Sequence, residues 1–563
     1  LIALIGLITN VLFYGDVSIQ MVPVRPGTVS PWAIAIPVAG ALVVGIMARY
    51  GSAAIRGHGI PEVMERVLHA QSRISPRVMF LKPLSAAIAI GTGGPFGAEG
   101  PIIATGGALG SVVGQVLRIT ADERKTLLAA GAAAGMAATF GTPVAAVLLA
   151  IELLLFEYRA RSIVPVALAS AAATAVRMIL FGTGPVFPMP AVGQPSWEAL
   201  ATYVVLGAVA GLASVGITRA VYAVEHAFGH LPVHWMWWPA LGAIPVGIIG
   251  YIEPRTFGVG YIYIDEILAG TLAGTTLLVV VVLKFVSWTV YLGSGTSGGT
   301  LAPLFIMGGG LGALLGSVVG HFAPGLGVNP AVAALVGMAA VFAGASHALL
   351  TSIVFAFEAT RQPVGLLPLL AGCSAAYLIS ILLMRTSIMT EKLTRYGPAV
   401  RTEYSMDFMS QLLVREVMTH TVTTVQASET LQEVRDWLAS RVDGTGHQGF
   451  PVVDDKGVLM GVVSRREVME TDQPPDQPIR DLVHRPPVVA FETNTLREAA
   501  DHMVREGVRR LPVLDRETGQ MVGVVSQSDL LSAHRWRLRA EAQRERTRHP
   551  LSALPEVPPS AQR

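Results

Sequence analysis

The stretch GTGGPFGAEGPIIATGGALG, residues 91–110, returns as GSGTSGGTLAPLFIMGGGLG, residues 293–312. The offset, 91 to 293, is 202 residues. The repeat reaches outward in both directions. Leu81-Lys82 recurs as Leu283-Lys284, and Gly135-Met136-Ala137-Ala138 as Gly337-Met338-Ala339-Ala340. After a small insertion, Ala150-Ile151-Glu152 returns as Ala356-Phe357-Glu358. Duplicated apolar halves cut by Gly and Pro mark transport proteins, in which broken helix ends near the bilayer midplane hold an ion.

Composition supports a membrane setting. The 563 residues are 52% hydrophobic and 14% charged, against about 25% charged in soluble domains. Mean hydropathy is +0.54. Cys373 is the one cysteine, which rules out a disulfide within the chain and argues against a metal site. A net charge of +2 is too small to imply a nucleic-acid partner. Apolar segments run almost continuously to about Met384, and several are shorter than the roughly 20 residues of a full span. Short segments are tolerated in a membrane only when protein or a cavity surrounds them. The pattern predicts an all-α membrane domain of ten or more helices over residues 1–400, many of them broken. Its repeat halves cover about 32–160 and 200–385.

Three glycine-rich turns each precede a proline and an apolar helix. They are Gly57-His58-Gly59-Ile60-Pro61-Glu62, Gly97-Ala98-Glu99-Gly100-Pro101 and Gly299-Thr300-Leu301-Ala302-Pro303. Proline suits the first helical position, where its missing N–H costs nothing. Glycine lets backbone approach a ligand closely. A helix N-terminus carries about half a positive charge and free N–H donors. Three such ends converging would attract an anion without a cationic side chain. Glu99 stands out, because an acid inside a membrane costs about 2.5–3.5 kcal/mol or more and is a functional candidate by default. Its repeat counterpart is Leu301. A carboxylate at a helix N-terminus is a tethered anion that competes with a free one, and protonation would release it.

These three loops resemble those of the CLC family of chloride channels and chloride/proton antiporters. The family reads G-S-G-I-P, G-[KR]-E-G-P and G-x-F-x-P. This chain reads G-H-G-I-P, G-A-E-G-P and G-T-L-A-P. The resemblance implies two inverted halves, one pore per subunit, a homodimer in the lipid bilayer, chloride as the transported ion and Glu99 as the gating glutamate. It also implies an anion path past His58, the backbone amides of Gly100, Leu301 and Ala302, and Met389. The departures are specific. His58 replaces the family's anion-binding serine, and Leu301 replaces the phenylalanine of the third loop. Met389 stands at the inner tyrosine, and Leu153 at the proton-transfer glutamate of many antiporters. Loss of the last two points to a passive chloride channel gated by protonation of Glu99. Coupled chloride/proton exchange is the alternative, since some exchangers dispense with the inner acid. A histidine at 58 could donate one N–H to an anion, or attract it as a cation at mildly acid pH.

From about Ser410 the chain reads as soluble and repeats again. Thr430-Leu431-Gln432-Glu433 returns as Thr495-Leu496-Arg497-Glu498, and Gly461-Val462-Val463-Ser464 as Gly523-Val524-Val525-Ser526. Each unit predicts an amphipathic helix, two short β-branched strands and a second helix, a small α/β fold. The pattern resembles a tandem pair of CBS domains, residues 412–471 and 478–535. In that family the run from Gly523 to Asp529 places Ser526 and Asp529 near the ribose and phosphates of an adenine nucleotide such as ATP or AMP. A purely dimerising module is the other reading. Glu467 stands in the first unit where Asp529 stands in the second. Residues 536–563 read as a basic, then disordered, tail. The expected setting is a bacterial inner membrane with the CBS pair in the cytoplasm.

One rival class pairs CBS domains with an intramembrane metalloprotease, which needs His-Glu-x-x-His on a helix. Here His226-Ala227-Phe228-Gly229-His230 has the spacing with Ala227 in place of the general base, and it reads as an interfacial loop. No enzymatic activity is expected.

Overall fold

The computed structural model describes residues 1–394, 409, 412–440, 442 and 444–536. The expected disordered tail beyond Trp536 lies outside the described residues. The chain divides into two compact units, Leu1–Tyr404 and Ser405–Arg563.

The first unit is helical, and its helices run in two matching series of eight. The first holds α1 (Ile2–Thr9), α2 (Ala35–Ile46), α3 (Ile60–His69), α4 (Pro76–Gly91), α5 (Glu99–Val116), α6 (Ala121–Phe140), α7 (Pro143–Leu149) and α8 (Ala160–Phe181). The second holds α9 (Trp197–Gly229), α10 (Trp238–Ile252), α11 (Tyr261–Leu268), α12 (Gly274–Gly293), α13 (Leu301–Phe322), α14 (Pro330–Ser346), α15 (Leu349–Thr360) and α16 (Leu366–Leu383). A short α17 (Glu391–Thr394) follows. The halves therefore extend beyond the recognisable sequence repeat. The segment Ala160–Phe181, beyond the first half as expected from the sequence, is α8, the counterpart of α16.

Among the described residues, seven helices are long and apolar enough to cross a membrane. Several others are shorter because the chain breaks before α3, α5, α7, α13 and α15. Pro61 is the second residue of α3, while Pro101 and Pro303 are the third residues of α5 and α13. The expected first position is missed by one or two residues at no cost, because none of the first four N–H groups of a helix has an intrahelical partner. The string from His226 to His230 is not a loop. It forms the last turn of the 33-residue α9, and the His230 ring pairs through Nδ1 with the His226 carbonyl at 2.8 Å.

Small residues let the helices touch backbone to backbone, as expected where lipid offers no hydrophobic drive for association. At Gly106 against Gly131, and at Gly308 against Gly337, an added Cβ would overlap the facing carbonyl oxygen. α14 is buried on every face from Val332 to Ser346, which explains why it carries alanine and glycine rather than a polar stripe.

Two carboxylates lock the halves together. Glu152 accepts the N–H groups of Leu350 (3.0 Å) and Thr351 (2.9 Å) in the first turn of α15. Glu358, its repeat partner within α15, accepts those of Val144 (3.1 Å) and Ala145 (2.9 Å) in the first turn of α7. Each half thus caps a helix of the other, as an inverted twofold relation requires.

The second unit holds two similar α/β modules. The first contains β1 (Val425–Gln426), α18 (Leu431–Ala439), β2 (Gly449–Val453), β3 (Leu459–Ser464) and α19 (Arg465–Glu470). The second contains β4 (Ala490–Phe491), α20 (Leu496–Glu506), β5 (Arg510–Leu514) and β6 (Met521–Ser526). In each, a two-residue strand pairs parallel to the middle strand, which pairs antiparallel to the third. Thr430 with Glu433, and Thr495 with Glu498, form capping boxes on α18 and α20. Hydrogen bonds from Thr430 hold the Glu433 carboxyl below the usual carboxylate range.

Glu152→Ala and Glu358→Ala each strip charge-assisted bonds from a part-buried helix end. Each is expected to destabilise the membrane unit by about 2 kcal/mol, read as a lower melting temperature in detergent. Unchanged melting in both variants would contradict the reciprocal-cap account.

Candidate functional site

The loops that precede α3, α5 and α13 meet in the interior. Gly57 donates its N–H to the Thr296 carbonyl at 2.8 Å, and Gly97 and Gly299 exchange backbone bonds at 3.1 and 2.8 Å. These contacts join a first-half loop to a second-half loop. Gly57 and Gly59 have φ of 86° and 97°, which side chains at those positions would resist. A side chain at Gly100 would run into the His58 carbonyl.

Buried lysines shape this backbone in matching ways. Lys82 donates to the carbonyls of Ile55 and Gly57, both at 2.8 Å. Lys284 donates to those of Thr256 and Gly258, both at 2.9 Å. These four loop carbonyls are thereby engaged. Glu62 accepts the Gly59 N–H at 2.7 Å and faces the Lys392 ammonium at 3.4 Å.

Glu99, the first residue of α5, is 1% exposed. Its carboxylate lies near its own amide and that of Ala302 in the first turn of α13, and its Oε2 has no hydrogen-bond partner. The Tyr261 hydroxyl donates to Oε1 at 2.8 Å. The acid therefore sits between two helix N-termini from opposite halves, the kind of place that favours an anion. Leu301 and Ala302 are buried beside it.

Tyr261 is a member of this site that the motif reading missed. It opens α11, and its loop, Gly258-Val259-Gly260-Tyr261, is the second-half copy of Gly57-His58-Gly59-Ile60 at an offset of 201 (57 to 258). No proline follows, so the turn lacks the mark shared by the other three. The matched lysines 82 and 284, each tied to such a Gly-x-Gly turn, were the signal that could have found it.

A cavity of about 440 Å³ approaches from another side, lined among others by Arg56, His58, Glu62, Tyr222 and Lys392. His58 is buried at its inner wall, with Nδ1 lacking a hydrogen-bond partner. Tyr222 donates to the Ile388 carbonyl at 2.7 Å. Met389, the next residue, is fully buried. Leu153 is buried within the first-half segment that ends in Phe156.

In the second unit a cavity of about 490 Å³ is lined by Thr419, Thr421, His447, Arg509, Arg510, Ser526 and Asp529, among others. Asp529 Oδ2 accepts both the N–H (2.8 Å) and the hydroxyl (2.7 Å) of Ser526. Glu467 and Ser464 make the equivalent cap in the first module, with a backbone bond of 2.7 Å. The Ser-x-x-acid spacing therefore caps a helix in both modules, and in the second module both of its members also line this cavity.

A buried carboxylate at two helix ends, inside an apolar helical unit with an inverted repeat, points to an anion-transporting integral membrane protein. The profile of the voltage gated chloride channel family matches residues 39–381, and that of the CBS domain matches residues 414–473 and 479–535. The chain belongs to this CLC family and carries a CBS pair. It is 30% identical over 354 residues to a putative chloride channel protein ClcB-like of Ralstonia nicotianae, covering 62% of this chain and 82% of the relative. It is 30% identical over 352 residues to the H(+)/Cl(-) exchange transporter ClcA of Vibrio parahaemolyticus, covering 60% of this chain and 74% of the relative. Its fold is similar to the crystal structure of a slow cyanobacterial Cl-/H+ antiporter, with TM-score 0.60 at 24% identity, over 64% of this chain and 86% of that one.

Proposed function

We propose that the chain exchanges chloride for protons, with Glu99 as the coupling group. The observation that carries this reading is the Glu99 carboxylate seated between the N-termini of α5 and α13. An anion gains the seat only when the carboxylate leaves it. Protonation favours leaving, because a neutral acid loses most of its attraction to helix dipoles. Proton and anion occupancy are then alternatives at a single point. His58 and the amides of Gly100, Leu301 and Ala302 line the seat, and Met389 closes its inner end.

Passive conduction was the reading favoured by Leu153 and Met389. Tyr222 donates to the Ile388 carbonyl next to Met389, a contact from α9 that supports a narrow rather than a wide inner path. Leu153 supplies no acid, so protons would travel by water in the 440 Å³ cavity that ends at His58. The name of the Vibrio relative supports exchange. The working form is a homodimer in a bacterial inner membrane, with the CBS pair in the cytoplasm.

The test uses the purified chain, with its dimer mass checked by light scattering, in liposomes that report chloride and protons together. A chloride gradient is expected to drive protons uphill at a fixed ratio. Glu99→Gln is expected to abolish proton movement and leave chloride flux nearly independent of pH. Chloride flux without proton pumping in the parent chain would overturn exchange in favour of a channel.

The 490 Å³ cavity, lined by Ser526, Asp529, Arg509 and Arg510, supports the reading of an adenine-nucleotide site, with Ser526 and Asp529 near the ribose and phosphates. Calorimetry with ATP and AMP is expected to show binding that Asp529→Ala weakens roughly tenfold, the loss of one strong polar contact. No heat with either nucleotide would leave the pair as a dimerising module.

A further inference from the structure

We infer that Tyr261 is a positioning residue that holds the Glu99 carboxylate in the anion seat and so sets how strongly it competes with a free anion. The inference rests on the reading of Glu99 as the group that shares the seat. It does not depend on whether transport is coupled or passive.

Three observations carry it. The phenol hydroxyl donates to Glu99 Oε1 at 2.8 Å, and the Ala98 amide lies near its oxygen. The ring cannot swing away freely. Phe140 stands edge-on to it at 5.9 Å, Phe187 packs at 6.1 Å, and both are buried. Lastly, Tyr261 belongs to the second half and Glu99 to the first, so the contact reports on how the two halves meet at the seat. The groups acting on the carboxylate are the Glu99 amide on α5, the Ala302 amide on α13 and the phenol on α11. The two amides serve a chloride ion equally well. The phenol is the one side-chain donor among these three, and so the one that substitution can remove without altering the backbone.

Chemically the phenol is a latch and not a proton carrier. It donates to the carboxylate and keeps its own proton, because the Ala98 amide that faces its oxygen cannot resupply one. A bond to an ionised acceptor is stronger than one to a neutral acid. The latch therefore holds the ionised carboxylate tightly and the protonated one loosely. The proton that releases Glu99 comes from water, and Tyr261 sets the pH at which release occurs.

The experiment is chloride flux in liposomes from pH 4.5 to 8.5, comparing the parent chain with Tyr261→Phe, which keeps the ring and its packing. The expected result is faster flux at neutral pH, by roughly tenfold, with the half-maximal pH moved upward by about one unit. Chloride should also bind roughly tenfold more tightly at pH 7.5. In a Glu99→Gln background, Tyr261→Phe is expected to leave the pH profile and chloride affinity unchanged, an outcome that a merely structural ring would not give. Fluorotyrosine placed at 261, a stronger donor, is expected to shift the profile the opposite way. That arm also decides the matter if Tyr261→Phe proves unstable. An unshifted profile in Tyr261→Phe, or the same effect with and without Glu99, overturns the latch. Loss of proton coupling would be read separately, from proton movement.

Discussion

The governing constraint is that a carboxylate buried in an apolar helical unit must be held by backbone amides. Glu99 meets it by sitting where α5 and α13 begin, facing its own amide and that of Ala302. Helix ends can satisfy an anion there without bringing a permanent counter-ion, which would bind chloride too firmly to release it. The rest of the membrane unit keeps those two ends pointed at one spot. Lys82 and Lys284 hold matching loop carbonyls, and the glycines at 57, 59 and 100 let the backbone close in.

Holding two halves in register inside lipid calls for directional contacts, because apolar faces slide past one another at little cost. The exchanged caps of Glu152 and Glu358 supply them. So do the paired backbone bonds of Gly97 with Gly299 and the link from Gly57 to Thr296. The seat is thus made from both halves at once, and its asymmetry is confined to side chains. Glu99 and Tyr261 meet across the twofold, while their repeat counterparts, Leu301 and Ile60, are apolar. Under the proposed reading, a symmetric backbone that attracts anions becomes a site that a proton can control.

Much of this was legible in the sequence because glycine, proline and a stranded acid are chemically explicit. The repeat from 91 to 293, the three turns and Glu99 all came from such signals. Other features were hidden for physical reasons. Tyr261 lies after a turn with no proline, and its hydroxyl acquires meaning only when α11 packs beside α5. Glu152 and Glu358 stand out as acids in apolar runs, yet their exchange of caps depends on a fold that joins residues about 200 apart. Strands β1 and β4 are two residues long, below any readable alternation. The hydrogen bond from Tyr222 of the distant α9 to the Ile388 carbonyl beside Met389 is likewise visible only in the fold.

The central claim is that Glu99 and the transported anion occupy one seat. Crystals of the parent chain and of Glu99→Gln grown in bromide test it through anomalous scattering. The account predicts a bromide peak between the N-termini of α5 and α13 in Glu99→Gln, and the carboxylate in that place in the parent. Bromide at full occupancy there beside an undisplaced Glu99, or no bromide there once the charge is removed, would contradict it.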